Sequence, residues 1–168
     1  MIAHTLLNEA LARCGSSARS EPALFGAVTI DSRAARPGDI FCAFRGERTD
    51  AHTFIPELVT RGVFCVGSEP IGVPRYAQVP DVAAFLGEFA RVRRALMRAQ
   101  VLALTGSSGK TTTRVMAGRL LAENGATVHE TGGNLNNHLG LPLVILNAPL
   151  SCDALVLEMG MNHPGEIA

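Results

Sequence analysis

The sequence predicts an α/β protein with a small mixed α/β domain over residues 1–99. The first β-α-β-α-β part of a doubly wound parallel sheet follows over residues 100–168. Two observations support this class. A short apolar run at residues 101–104 leads into a glycine-containing turn and a helix-forming stretch. Strand and helix patterns alternate strictly after residue 100, whereas before it short strands and helices are mixed.

The first domain is predicted from short apolar runs separated by polar turns. Three segments with helical spacing are predicted helices: Ile2–Arg13, Thr53–Arg61 and Val82 to about Arg98. Four apolar runs are predicted strands: Gly26–Ile30, Ile40–Phe44, Val63–Val66 and Tyr76–Val79. Gly62 is placed to end the second helix, and Asp81 is placed to cap the third. The arginines of the third helix are expected on its solvent-exposed side: Arg91, Arg93, Arg94 and Arg98.

The second domain begins with the strand that precedes the glycine turn. Thr112–Glu123 then has a helical pattern, and Gly125 is placed to end that helix. Ala126–Glu130 and Ala154–Glu158 are predicted strands, and the second is uninterrupted in apolar character, as parallel strands buried on both faces are. The short apolar segment Leu139–Leu146 lies between them and completes the order.

The turn within Val101–Thr113 has the residue types of a nucleotide phosphate site, or P-loop. Its glycines allow backbone N–H groups to point inward, and the helix that follows adds free amides and a positive dipole end. Lys110 would reach the terminal phosphates, and Thr111 has the hydroxyl position that ligates magnesium. The predicted nucleotide-binding residues are Gly106, Ser107, Ser108, Gly109, Lys110, Thr111 and Thr112. The alternative is an ordinary Gly-Ser-Gly turn with a surface lysine, and Leu104 stands where the longer motif has glycine.

Glu158 ends the buried strand of the second domain. Ligands of such sheets collect at the carboxyl ends of the strands, and a carboxylate there is costly unless it meets a cation. We therefore expect Glu158 to be a magnesium ligand opposite Thr111. The alternative is an acidic residue that caps the next helix.

Two polar segments are candidate substrate sites. The loop Gly132–His138 follows the strand next to the phosphate loop, and it packs three amides into four positions: Asn134, Asn136 and Asn137. Because asparagine tolerates left-handed backbone, this loop is equally compatible with an awkward turn. In the first domain, Ser32 and Arg33 follow a predicted strand with a hydroxyl and a guanidinium suited to a phosphate or a uracil edge.

Composition narrows the class of partner and the compartment. Fifteen basic and fifteen acidic side chains cancel, so charge gives no reason to expect nucleic acid or an anionic membrane as partner. The four cysteines form no C-x-x-C pair and are expected to be reduced. Because the chain shows neither a secretory leader nor a membrane-length apolar run, a cytoplasmic protein is expected.

Taken together, the motifs resemble the Mur ligases, ATP-dependent amide-forming enzymes of peptidoglycan synthesis. In the first domain, the similar motifs are Asp31-Ser-Arg33, Pro37-Gly-Asp-Ile-Phe41, Gly46-Glu47 and Asp50-Ala-His52. The family commonly has glycine where this chain has Ala51. In the second domain, the similar motifs are Thr105–Thr112, Gly133–Pro142 and Glu158–Ile167. The last two resemble the branch that adds D-alanyl-D-alanine to a UDP-N-acetylmuramoyl-tripeptide.

The resemblance implies a UDP-substrate-binding first domain and an ATPase second domain, with ATP and Mg²⁺ as cofactors. It implies Lys110 and Glu158 as catalytic residues and Thr111 and Glu158 as magnesium ligands. Ser32 and Arg33 would bind the uridine nucleotide, and the asparagines of the loop would bind phosphate and substrate. The implied partners are the UDP-tripeptide and D-alanyl-D-alanine, and the implied oligomeric state is a monomer.

Other functions stay open at this stage. One is a non-catalytic nucleotide-binding module that a partner chain completes, and another is the related ligase that adds a diamino acid to the UDP-dipeptide. Members of the family continue well beyond the position matched by Ala168, through the rest of the ATPase sheet and a third domain. We therefore expect this chain to be a fragment that is inactive alone.

Overall fold

The structure is a computed structural model that describes residues 1–46 and 49–160. The chain divides into two compact units, Met1–Val92 and Arg93–Ala168. The domain boundary predicted between residues 99 and 100 stays a prediction. In the part of the chain that the structure describes, no helix has the length and apolar character needed to cross a membrane.

The first unit contains a four-stranded parallel sheet and a small antiparallel pair. Its strands are β1 Ile2–Ala3, β2 Leu24–Phe25, β3 Val28–Thr29, β4 Ile40–Cys42, β5 Phe64–Gly67 and β6 Tyr76–Gln78. Its helices are α1 His4–Arg13, a 3₁₀ turn at Ala51–Phe54, α2 Ile55–Thr60 and α3 Val82–Ala95, which continues into the second unit. The parallel sheet has the order β3-β4-β5-β6, and β1 pairs with β2.

One hydrophobic cluster of the first unit forms where α2 packs against the parallel sheet. Phe41, Ile55, Leu58 and Val63 are completely or almost completely buried there. Gly62 ends α2 with a φ of +84°, a left-handed conformation that favours glycine. As predicted, Asp81 caps α3, because its carboxylate accepts hydrogen bonds from the backbone N–H groups of residues 83 and 84. These local signals set the helix boundaries.

Two predictions for this part of the chain were wrong. The first helix begins at His4 and not at Ile2, since β1 pairs with β2, a strand that the sequence did not predict. The arginines of α3 do not all face solvent. Arg93 is 2% exposed, and its Nη2 donates to the Ala148 carbonyl at 2.7 Å within the second unit. The Arg93 guanidinium is buried because it donates to the Ala148 carbonyl, a backbone group that needs a hydrogen-bond donor.

The second unit is a three-stranded parallel sheet with two connecting helices. Its elements are β7 Gln100–Leu104, α4 Lys110–Glu123, β8 Val128–Glu130, α5 Gly140–Asn147 and β9 Ala154–Glu158. The order β7-β9-β8 makes β9 the central strand, with Leu104 opposite Glu158 and Glu130 opposite Val156. The predicted α/β class and the β-α-β-α-β order are confirmed.

Burial of β9 explains why its apolar run is uninterrupted. All five of its residues are buried, and Leu155 and Leu157 belong to a cluster with Val144 of α5. A central parallel strand is covered on both faces, so alternation of polar and apolar residues would place polar groups in the core. The strand therefore carries its one ionisable side chain, Glu158, at its carboxyl end, beside the turn that follows β7.

Candidate active site

The loop between β7 and α4 has the backbone of a phosphate-binding turn. Gly109 precedes the helix with a φ of +75°, and Gly106 has a φ of +153°, conformations that residues other than glycine rarely adopt. Lys110 begins α4, and its Nζ donates to the Gly106 carbonyl at 2.7 Å. The ammonium group is thus held over the loop, next to the free N–H groups of the helix N-terminus.

Glu158 and Thr111 meet at the carboxyl edge of the sheet. Thr111 Oγ1 donates to Glu158 Oε2 at 3.0 Å, and Asn136 Nδ2 donates to Glu158 Oε1 at 3.1 Å. The backbone of Glu158 is also fixed, because its N–H donates to the hydroxyl of the buried Thr131 at 3.0 Å. Both carboxylate oxygens are therefore oriented by neighbours from other segments of the second unit.

The surroundings of Glu158 favour its ionised form. Burial of the side chain, which is 4% exposed as a residue, by itself raises the pKa. Hydrogen bonds from Asn136 and Thr111 and the positive charge of Arg114 act in the opposite direction and prevail, so the pKa of Glu158 is lowered. A buried carboxylate that stays charged is a strong ligand for a cation.

The pair formed by Thr111 and Glu158 fits a magnesium ion. Mg²⁺ takes octahedral ligands at about 2.0–2.1 Å, so two adjacent ligand oxygens lie roughly 2.9 Å apart. The observed 3.0 Å between Thr111 Oγ1 and Glu158 Oε2 matches this spacing. Among residues 1–46 and 49–160, no three His, Cys, Asp or Glu side chains cluster as a metal cage. A magnesium ion here would take its remaining ligands from phosphate oxygens and water, as is usual for this ion.

The asparagine loop is packed against the start of α5. Asn137 Oδ1 accepts hydrogen bonds from the N–H groups of Leu139 and Gly140, at 3.2 and 2.8 Å, which ties the loop to the start of the helix. Asn136 faces Glu158 by its side chain, and its carbonyl accepts from the N–H of residue 160 at 2.7 Å. Asn134 is exposed on the same loop. Asn136 and Asn137 therefore have hydrogen-bond partners among the described residues, and the side chains of Asn134 and Asn137 are exposed.

The structure brings together some of the predicted site residues. Lys110, Thr111, Asn136 and Glu158 lie at one edge of the second unit. The other predicted side chains of the phosphate loop are exposed: Ser107, Ser108 and Thr112. Ser32 and Arg33 belong to the first unit, where Arg33 Nη2 pairs with Asp31 Oδ2 at 2.7 Å. The roles assigned to all these residues stay predictions.

Part of two predicted motifs falls outside the described residues. The motif that begins at Glu158 continues through residues 161–167, including His163, and the Gly46-Glu47 motif includes Glu47. These positions lie outside the ranges 1–46 and 49–160.

Sequence reasoning missed two charged residues beside the site. Arg114 Nη1 donates to Glu130 Oε2 at 2.6 Å, and Arg114 Nε lies 3.5 Å from Glu158 Oε2. A signal was available, because Glu130 ends β8 next to β9, and Arg114 lies three residues after Thr111 on the same helix face. The two carboxylates and the arginine therefore belong to one charge cluster.

A strand, a glycine turn ending in Lys-Thr, a helix and a buried acid on the neighbouring strand define a P-loop nucleotide-binding domain. Residues 104–168 match the family described as the Mur ligase middle domain. The chain belongs to the Mur ligase family.

Individual relatives agree with this assignment. The chain is 41% identical over 145 residues to the UDP-N-acetylmuramoyl-tripeptide--D-alanyl-D-alanine ligase of Escherichia coli, covering 84% of this chain and 32% of that protein. A crystal structure of MurF from Acinetobacter baumannii superposes with a TM-score of 0.85 at 36% identity, covering 99% of this chain and 37% of the other. The crystal structure of the MurF ligase from Thermotoga maritima in complex with ADP superposes with a TM-score of 0.77 at 36% identity, covering 86% of this chain and 34% of the other. The chain spans about a third of the length of these relatives.

Proposed function

We propose that this protein takes part in the ATP-dependent addition of D-alanyl-D-alanine to a UDP-N-acetylmuramoyl-tripeptide. The observation that carries the proposal is the meeting of Lys110, Thr111 and Glu158 at the carboxyl edge of the second sheet. The names of the relatives supply the substrates, and the bound ADP of one relative supports the nucleotide. Mg²⁺ is part of the proposal because Thr111 and Glu158 have the spacing of two of its ligands.

The reaction needs charge neutralisation before it needs proton transfer. A carboxylate oxygen of the tripeptide attacks the γ-phosphorus of ATP, the bond to the bridging oxygen breaks, and ADP leaves. The amine of D-alanyl-D-alanine then attacks the acyl carbon, phosphate leaves, and the nitrogen loses a proton. The first step brings a carboxylate towards a triphosphate, so negative charges repel each other at the reacting atoms.

The residues of the second unit oppose that repulsion. The Lys110 ammonium and the N–H groups at the start of α4 place positive charge where the terminal phosphates would lie. Magnesium, when bound, would neutralise phosphate charge as a Lewis acid, held by Thr111 and Glu158. Asn136 orients the Glu158 carboxylate, and the exposed Asn134 is placed to contact substrate. Ser32 and Arg33 of the first unit are proposed to bind the uridine nucleotide.

The partners of the proposed reaction are small molecules. The UDP-tripeptide and D-alanyl-D-alanine are the expected substrates, and neither nucleic acid nor a membrane is needed. Precursors that carry UDP are made inside the cell, so we place the protein in the cytoplasm. The four cysteines are free, and burial raises the pKa of Cys42 and of Cys65 to about 12, which keeps these two thiols protonated.

A competition experiment tests the substrate assignment. The chain is mixed with a fluorescent UDP-tripeptide, and unlabelled UDP-tripeptide and UDP-dipeptide compete for it in separate titrations. The proposal predicts that the tripeptide competes more strongly. Stronger competition by the dipeptide would instead favour the ligase that adds the diamino acid. Binding of nucleotide with no binding of either UDP compound would favour a nucleotide-binding module without this activity.

A further inference from the structure

Arg114 and Glu130 form a charge cluster with Glu158, and the proposed reaction assigns neither of them a contact with phosphate or magnesium. Arg114 is largely buried, with 12% of its side chain exposed, and it lies between the carboxylates that end β8 and β9. Its distances to them are unequal: Nη1 is 2.6 Å from Glu130 Oε2, whereas Nε is 3.5 Å from Glu158 Oε2. The shorter distance is that of a charge-assisted hydrogen bond, and the longer one is not.

The longer distance from Arg114 to Glu158 is important because Glu158 is also the proposed magnesium ligand. Its Oε2 is the oxygen that accepts the Thr111 hydroxyl, which makes it the oxygen placed to ligate magnesium. A guanidinium bonded to that oxygen would compete with the cation for the same negative charge. Among the described residues, Arg114 Nε has no hydrogen-bond partner, although it is buried. Arg114 could therefore compete with a cation for the Glu158 carboxylate, but its guanidinium is hydrogen-bonded to Glu130 instead.

Gly118 allows Glu130 to reach this position. It lies one turn after Arg114 on α4 and is the buried glycine of that helix. A Cβ atom at Gly118 would lie 2.8 Å from Glu130 Oε1 and 3.0 Å from its Cδ. Glycine inside a helix costs about 1 kcal/mol relative to alanine, so its presence is explained by the close approach of the Glu130 carboxylate.

We propose that Glu130 is a positioning residue that keeps the Arg114 guanidinium from forming a hydrogen bond with Glu158, so that the Glu158 carboxylate stays available to a divalent cation. This inference rests on the proposed magnesium and nucleotide site. It assigns no contact between Glu130 and the substrate, because Glu130 acts through Arg114. The consequence is a magnesium affinity that depends on a residue that does not touch the metal.

The test compares ADP affinity in excess Mg²⁺ with ADP affinity in EDTA, measured by isothermal titration calorimetry. The ratio of the two affinities reports the contribution of magnesium, and it requires no turnover. Glu130→Gln should lower this ratio about ten-fold while leaving the affinity in EDTA nearly unchanged. Gly118→Ala should also lower this affinity ratio, because the added Cβ atom displaces the Glu130 carboxylate but leaves the charges of Glu130 and Arg114 unchanged.

A double variant separates positioning from a purely structural role. If Arg114 is the competitor, Glu130→Gln combined with Arg114→Met should return the ratio to within about two-fold of the wild-type value. A structural role for the ion pair predicts a double variant at least as impaired as Glu130→Gln. Thermal melting of each variant checks the fold, and Gly118→Ala carries the test if Glu130→Gln melts early.

The outcomes distinguish the inference from the function on which it rests. A wild-type chain whose ADP binding is not strengthened by Mg²⁺ would overturn the proposed magnesium site and the inference with it. Mg²⁺-strengthened binding in the wild type with an unchanged ratio in Glu130→Gln and Gly118→Ala would overturn the inference alone. A double variant without recovery would also overturn it.

Discussion

Gly140→Ala should destabilise the second unit by forcing the asparagine loop away from the start of α5. A Cβ atom at Gly140 would lie 2.4 Å from the Cα of Leu135 and 2.5 Å from its carbonyl carbon. These are backbone atoms, which cannot move aside as a flexible side chain can. Because carbon atoms in contact are about 3.5–4.0 Å apart, the loop would have to shift by roughly 1 Å.

The expected cost follows from this overlap. Overpacking lowers the free energy of unfolding by about 1–3 kcal/mol. Because the clash at Gly140 is with backbone atoms of Leu135, we expect Gly140→Ala to lie at the upper end of this range. Because Gly140 is the first residue of α5, alanine gains at most about 1 kcal/mol in helix propensity there, so the net loss should be at least about 2 kcal/mol. For a unit of this size that corresponds to a fall in melting temperature of about 8–16 °C.

A melt followed by circular dichroism, with Gly132→Ala as the matched control, measures this loss. Gly132 lies in the same loop, and a Cβ atom there would meet nothing within 4 Å. The control should therefore melt close to the wild type. If Gly140→Ala melts within about 2 °C of the control, the packing of this loop against α5 is not as described.

Two further predictions concern buried and paired charges. Arg93→Met should lower the free energy of unfolding, measured by urea titration, by about 2 kcal/mol, because the Ala148 carbonyl loses its buried donor. The control Arg91→Met removes a half-exposed ion pair with Glu88 and should lower it by less than about 1 kcal/mol. Asp50 accepts hydrogen bonds from His52 and from Arg45, and these bonds lower its pKa from 3.8 to about 2. The ionised Asp50 therefore stabilises the fold above pH 3.8, and this stabilisation is lost as the pH falls towards 2. Asp50→Asn should flatten the dependence of stability on pH within that window, and an unchanged slope in acid melts would contradict the assignment.

The sequence predicted most of the second unit, because its elements are strongly patterned. The uninterrupted apolar run of β9 is typical of a strand covered on both faces, and Ala154–Glu158 has the predicted bounds. The same reasoning about carboxyl ends placed Glu158 opposite Thr111, and the structure has these side chains 3.0 Å apart although 47 positions separate them. The roles of both residues stay predictions.

What the sequence did not predict depends on packing between distant segments. The two-residue strands Ile2–Ala3 and Leu24–Phe25 are too short to show a period. The burial of Arg93 depends on a carbonyl that lies 55 positions away. The spacing of Arg114 from Thr111 and the position of Glu130 at the end of β8 indicated that both lie near the site, but their hydrogen bond depends on how α4 packs against β8.

Calorimetric titration of ADP with Mg²⁺ into the wild-type chain and into Lys110→Ala measures whether the loop between β7 and α4 binds the nucleotide. Lys110 is the only lysine of the chain, so no other ammonium side chain can replace it. Loss of a charged hydrogen-bond donor to phosphate should weaken binding about 10- to 100-fold. Arg119→Ala, which removes an exposed positive charge from the same helix, should bind as the wild type does. Equal ADP affinity in wild type and Lys110→Ala would contradict the assignment of this loop as the nucleotide site.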